Sequence, residues 1–166
     1  MRHPICLSFA VCAALLTGTM TYAQEPALHL MPEDALRSFF VFGPEDGLKY
    51  AECDGKRAFT CTYIWGAPDE ADALRIKMGG KPDGKKLLLI ADRAANPSDF
   101  DRVLAVYKDA VPVEGLGIKA VWSRMRGQLS MLTSDNMVIH VNTDMTESDN
   151  KEAAAVTIAN LVLGMQ

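Results

Sequence analysis

Between Val113 and Thr143 apolar and polar positions alternate along the chain. Leu129, Met131 and Thr133 interleave with Gln128, Ser130 and Leu132, and Met137, Ile139 and Val141 interleave with Val138, His140 and Asn142. A period of two marks half-buried strands. In the segment before them, Ala120 and Trp122 fall on one side and Val121 and Ser123 on the other. Arg126-Gly127 and Ser134-Asp135-Asn136 tolerate turn dihedrals. The stretch therefore predicts an antiparallel meander of three strands. Upstream, residues 48–53 and 59–65 read as two more strands joined at Asp54-Gly55. Leu74, Ile76 and Met78 alternate with Arg75 and Lys77, which favours another strand, although residues 69–78 taken whole also fit a helix behind Pro68. Residues 87–93 form an apolar run compatible with a buried strand or the start of a helix.

Helical spacing appears in three places. Pro32 at a first helical position, followed by Glu33 and Asp34, predicts a short helix with Leu36, Phe39 and Phe40 as its apolar stripe. Gly43-Pro44-Glu45-Asp46-Gly47 stops it. Asn96-Pro97-Ser98-Asp99 opens a second helix reaching Ala110, with Phe100, Val103, Leu104 and Tyr107 on one face and Pro112 as its end. Residues 146–150 offer N-caps for a third, in which Ala154, Ile158, Leu161, Val162 and Met165 recur at helical spacing. This terminal amphipathic helix should lie across the sheet. The expected class is α+β, a mostly antiparallel sheet covered by helices.

Residues 1–23 are set apart by composition. An Arg2/His3 start, an apolar run from Ile5 to Leu16 and the small residues before Ala23 form a secretory signal, with cleavage expected after Ala23. The apolar run is too short for a good membrane span, so no stable span is expected after cleavage. Residues 24–166 then read as a single α+β domain with a mobile start at 24–30, long enough to bury a core of its own. Export also decides the cysteines. Cys6 and Cys12 leave with the signal, while Cys53 and Cys61 meet an oxidising compartment and flank a predicted hairpin, so a structural disulfide is expected between them.

The chain carries 17 basic and 21 acidic residues, a net charge of −4. With no basic stripe interleaved with aromatic residues, nucleic acid is not an expected partner. The groups Lys49, Lys56, Arg57 and Lys81, Lys85, Lys86 read as solvated turn residues. Gly79-Gly80-Lys81-Pro82-Asp83-Gly84 is a loop, and it lacks the spacing of a phosphate-binding loop.

Pro112-Val113-Glu114-Gly115-Leu116-Gly117, Ala120-Val121-Trp122 and Gly127-Gln128-Leu129-Ser130-Met131-Leu132, followed by an apolar strand and a closing helix, resemble a pattern of small exported bacterial proteins, some of which have a PsbP-like fold. The resemblance covers the last third of the chain, and Ile118 stands where the pattern carries Asp. It implies export and an α+β architecture, and no reaction. Read from the residues alone, Gly115 and Gly117 let the chain turn sharply while Leu116 plugs the core.

Candidate chemistry is sparse. Past the signal only His29 and His140 remain as histidines, which with paired cysteines leaves no set of ligands for a metal centre. His140 could serve as a general base only beside a nucleophile and an orienting carboxylate, and no G-x-S-x-G motif supplies them. A serine or aspartate hydrogen-bonded to His140 in a cleft would revive an enzymatic reading. Asp99, Asp101 and Asp109, or Glu45 and Asp46, could pair for acid–base work or calcium, but none has EF-hand spacing. Trp65 and Trp122 could stack on a ligand if both reached one exposed face. The remaining methionines are scattered, as core filling requires.

These observations lead to a non-catalytic exported protein, periplasmic or secreted, that binds another protein or a small apolar ligand in the envelope, with Trp65, Trp122 and His140 as the candidate binding residues. No cofactor, no metal and no catalytic residue is expected. The alternatives are an inhibitor or protective protein against an exported enzyme or toxin, and a hydrolase.

Overall fold

The computed structural model describes residues 31, 33–39, 46–55, 58–67, 69–94, 96–143 and 150–164. The expected signal, the mobile start, His29, Glu45 and Met165 lie outside the described residues. Along the chain come α1 (Glu33–Phe39), β1 (Gly47–Asp54), β2 (Phe59–Gly66), α2 (Glu70–Lys77), β3 (Lys85–Arg93) and α3 (Ser98–Leu104). They are followed by β4 (Ala110–Pro112), β5 (Lys119–Ser123), β6 (Gln128–Leu132), β7 (Met137–Asn142) and α4 (Lys151–Gly164). The strands form one seven-stranded sheet in the order β1-β2-β3-β7-β6-β5-β4, and every neighbouring pair is antiparallel. The α+β class is therefore as expected. Two meanders, β1 to β3 and β4 to β7, start at opposite edges and meet where β7 lies beside β3.

Strand alternation sorts the sheet into two faces. One carries Cys61, Tyr63 and Trp65 of β2, Leu87 and Leu89 of β3, Trp122 of β5, Leu129 and Met131 of β6, and Met137, Ile139 and Val141 of β7. Against it pack Leu36 of α1 and Ala155, Ile158, Ala159 and Val162 of α4. Asn150 caps α4 through its side-chain oxygen, which accepts from the Ala153 N–H at 3.0 Å. Leu116 is buried in the same core, as the Gly115-Leu116-Gly117 reading requires. Gly117 sits at φ +55°, and a Cβ there would lie 2.3 Å from the Leu132 carbonyl oxygen. Only glycine allows the chain so close while the Ile118 N–H bonds that carbonyl at 2.8 Å.

Cys53 and Cys61 stand opposite each other in β1 and β2 and form the expected disulfide. Closing so short a loop restricts the unfolded chain by about 2 to 3 kcal/mol in the entropy account. Residues 87–93 resolve as strand, within β3.

Three expectations need correction. The segment at 69–78 is a helix, not the favoured strand. Asp69 caps it by accepting from the Ala71 N–H at 2.9 Å, with Glu70 and Asp72 in the first turn and Arg75 and Lys77 in the last. Its apolar side chains do not bury, since Leu74 and Met78 are 60% and 79% exposed, so their alternation reported no sheet face. The helix opened at Asn96 ends at Leu104 and does not reach Ala110. Val106 and Tyr107 turn away through bonds to Val103 and Leu104, and residues 110–112 become the edge strand β4. Lys49, read as a solvated turn residue, is the extra residue of a bulge between Leu48 and Tyr50. Its Nζ reaches Asp72 Oδ2 at 2.6 Å and the Asp83 carbonyl at 3.2 Å.

Candidate functional site

Trp65, Trp122 and His140 line three different depressions. Trp65 and Trp122 share a sheet face, but β3, β7 and β6 separate their strands. Four strand spacings put them about 19 Å apart across the sheet, too far to clasp one small ligand. Trp65 is fully buried.

Trp122 forms the floor of a groove of about 600 Å³, where the helix-covered face runs out beyond the first turn of α4. Val111 and Met125 flank it, 49% and 81% exposed, and Asp109, Arg124 and Glu152 complete the wall. The groove owes its shape to Asp109. Its carboxylate accepts from the Ser123 hydroxyl at 2.8 Å and the Met125 N–H at 2.7 Å, which ties the segment after α3 to the turn between β5 and β6. Those two donors hold the Asp109 carboxyl below the usual carboxylate range, so it is ionised at neutral pH.

The other sheet face carries a polar row that single-residue reading missed. Register places Ser130 opposite His140 and Gln128 opposite Asn142. The Ser130 Oγ lies 2.8 Å from His140 Nδ1, and the Gln128 Nε2 lies 3.1 Å from the same nitrogen and 2.7 Å from the Tyr107 hydroxyl, to which it donates. The Arg126 guanidinium lies 4.9 Å from the centre of the Tyr107 ring. Burial pushes the His140 pKa below its ordinary value, against a smaller opposing pull from the Asp92 carboxylate. The signal was present in the sequence. Folding the chain about the turn at residues 134–136 pairs Gln128 and Ser130 with Asn142 and His140.

His140 also lines a cleft of about 410 Å³ between α3 and the ends of β3 and β7. The condition for an enzymatic reading, a serine hydrogen-bonded to a cleft histidine, is thus met in part. Ser130, however, is fully buried and is not among the residues that line the cleft. The aspartates considered as pairs are engaged separately, Asp99 with Arg102 at 3.4 Å, Asp101 with Lys119 at 2.6 Å and Asp46 with Lys85 at 3.3 Å. Among the described residues no group of histidine, cysteine and acidic side chains could hold a metal ion. No helix among them is long and apolar enough to cross a membrane.

No family model, curated protein or solved structure matches the chain.

Proposed function

We propose that the protein is an exported binding module without a reaction of its own, and that the Trp122 groove receives the ligand, a small apolar molecule or an apolar side chain of a partner protein. The observation that carries the reading is an aromatic floor flanked by two exposed apolar side chains, Val111 and Met125, in a groove of about 600 Å³. Such side chains are costly to leave in water and gain most from being covered. Export rests on residues 1–23, and the resemblance to small exported proteins, some of which have a PsbP-like fold, rests on the pattern at 112–132. Native mass spectrometry of the mature protein drawn gently from its own envelope tests the proposal. A bound mass that disappears in Met125→Glu supports it; a bound mass retained in both Met125→Glu and Val111→Lys moves the site elsewhere and overturns it.

The Ser130–His140 hydrogen bond is the one observation favouring a hydrolase. A nucleophile must touch its substrate, and a fully buried hydroxyl meets none without local opening. Treatment with a fluorophosphonate should leave Ser130 unlabelled. A covalent adduct on Ser130 would replace the binding reading with an enzymatic one.

A further inference from the structure

The cleft beside His140 has a chemistry of its own. Its floor is Val138 and His140, and its walls are Asp92 at the end of β3 with Asp99, Arg102 and Val103 of α3. Two groups there remain open to a ligand. Ser130 Oγ and Gln128 Nε2 both lie against His140 Nδ1, and in the tautomer in which that nitrogen accepts from the Gln128 amide the ring hydrogen is on Nε2. In that tautomer His140 offers an N–H donor at its other edge. Asp92 is exposed and makes no hydrogen bond or ion pair among the described residues, yet it lies near enough to act on the imidazole. Of the other charges, Asp99 accepts from the Asn96 N–H and pairs with Arg102, and Arg93 donates to the Asp135 carbonyl at the rim.

A donor and a carboxylate side by side, with valine carbon between them, fit a molecule bearing an acceptor, a cation and an aliphatic group on one small frame. We propose that this cleft binds a free aliphatic amino acid, its ammonium on Asp92, its carboxylate oxygen on the His140 N–H, and its side chain against Val103 and Val138. An amine alone needs only Asp92, and a carboxylate alone is repelled by it. The zwitterion is the species that uses both.

The probes are L-leucine, 4-methylpentanoate, which lacks the amine, and isopentylamine, which lacks the carboxylate. Each is titrated into the full mature chain while the imidazole nitrogens are followed by long-range proton–nitrogen NMR. Leucine should shift the His140 Nε2 resonance in a saturable way, and each analogue should bind about 10- to 100-fold more weakly, the loss of one charge-assisted hydrogen bond. Asp92→Asn, at an exposed position, should weaken leucine to the same extent while the His140 resonances keep their tautomer. No shift with leucine at millimolar concentration overturns the proposal. So does amine binding as tight as leucine binding, or an Asp92→Asn variant with undiminished affinity. None of these outcomes bears on the Trp122 groove, which lies on the opposite sheet face.

Discussion

Gly117 and His140 show how single positions carry the architecture. At Gly117 the left-handed backbone and the close Leu132 carbonyl act together, so Gly117→Ala adds both backbone strain and a contact that must be relieved by moving β6. The expected cost is about 1 to 3 kcal/mol, read as a lower midpoint in urea with an unchanged slope. Gly115→Ala is a useful comparison, since open space surrounds that position and only the φ of +79° is at issue. His140 makes stability depend on pH through a different physics. Its folded pKa lies below the ordinary 6.5, so the unfolded chain binds the proton more tightly. The contribution is complete well above pH 6.5 and is lost as pH falls from there toward the folded value. Between about pH 7.5 and about pH 5.5 the wild type should lose more stability than His140→Gln, which cannot titrate; equal losses would show that burial does not perturb the ring. Asp72 and Asp109, held down by Lys49 and by the Met125 N–H respectively, act only in a lower window. Their contribution is present above 3.8 and disappears as pH falls below it.

Elements differ in what holds them, and that difference governs which of them could be read in advance. The strands of the second meander were evident because their larger apolar side chains alternate onto the face covered by α4, although they are not half-buried as expected: the opposite face is enclosed too, with Val121, Ser130, Leu132 and Val138 all buried. α2 was misread because its docking is ionic: its buried residue is Asp72, held by Lys49 and Arg75 at 2.6 Å each, while Leu74 and Met78 stay in water. No periodicity of apolar residues can report a helix anchored by one carboxylate. Asp72→Ala should therefore leave the Lys49 ammonium in its half-enclosed site without a counter-charge and lower the melting temperature by more than Leu74→Ala does. A smaller effect at Asp72 than at Leu74 would mean that α2 is held by its apolar side after all. α4 presents the reverse situation. Ile158 and Leu161 both fit the helical stripe read from the sequence, yet Ile158 is fully buried and Leu161 is 36% exposed. Ile158→Ala should cost about 2 to 5 kcal/mol by loss of burial and creation of a cavity, and Leu161→Ala about 0.5 kcal/mol or less. Comparable losses would place Leu161 in the core. The polar row was recoverable only by pairing strands first, because Gln128, Ser130, His140 and Asn142 become neighbours through register and not through sequence spacing.

At the scale of the whole molecule, the seven strands among the described residues form a sheet that does not close and leaves two edges, and each has a device that limits pairing with another chain. At β1 the Lys49 bulge breaks the regular ladder and draws that side chain inward to Asp72. At β4 the device is Pro112. The Val113 N–H points inward to the Ala120 carbonyl at 2.9 Å, and backbone groups alternate along a strand, so position 112 faces the open edge. Proline there removes the donor that an incoming strand would use. The same edge borders the Trp122 groove through Val111, so an unguarded strand would sit beside exposed apolar surface, the combination that favours association. Pro112→Val restores the donor and suits a strand better by propensity, and it should leave the monomer's melting temperature close to that of the wild type. What should change is assembly. Sedimentation velocity across a concentration series should show dimers or larger species growing with concentration in Pro112→Val and not in the wild type, and adding Val111→Lys should reverse the effect by placing a charge on the edge. A Pro112→Val protein that sediments as the wild type does at every concentration would mean that three residues of strand are too few to template pairing, and that the brevity of β4 alone protects this side of the sheet.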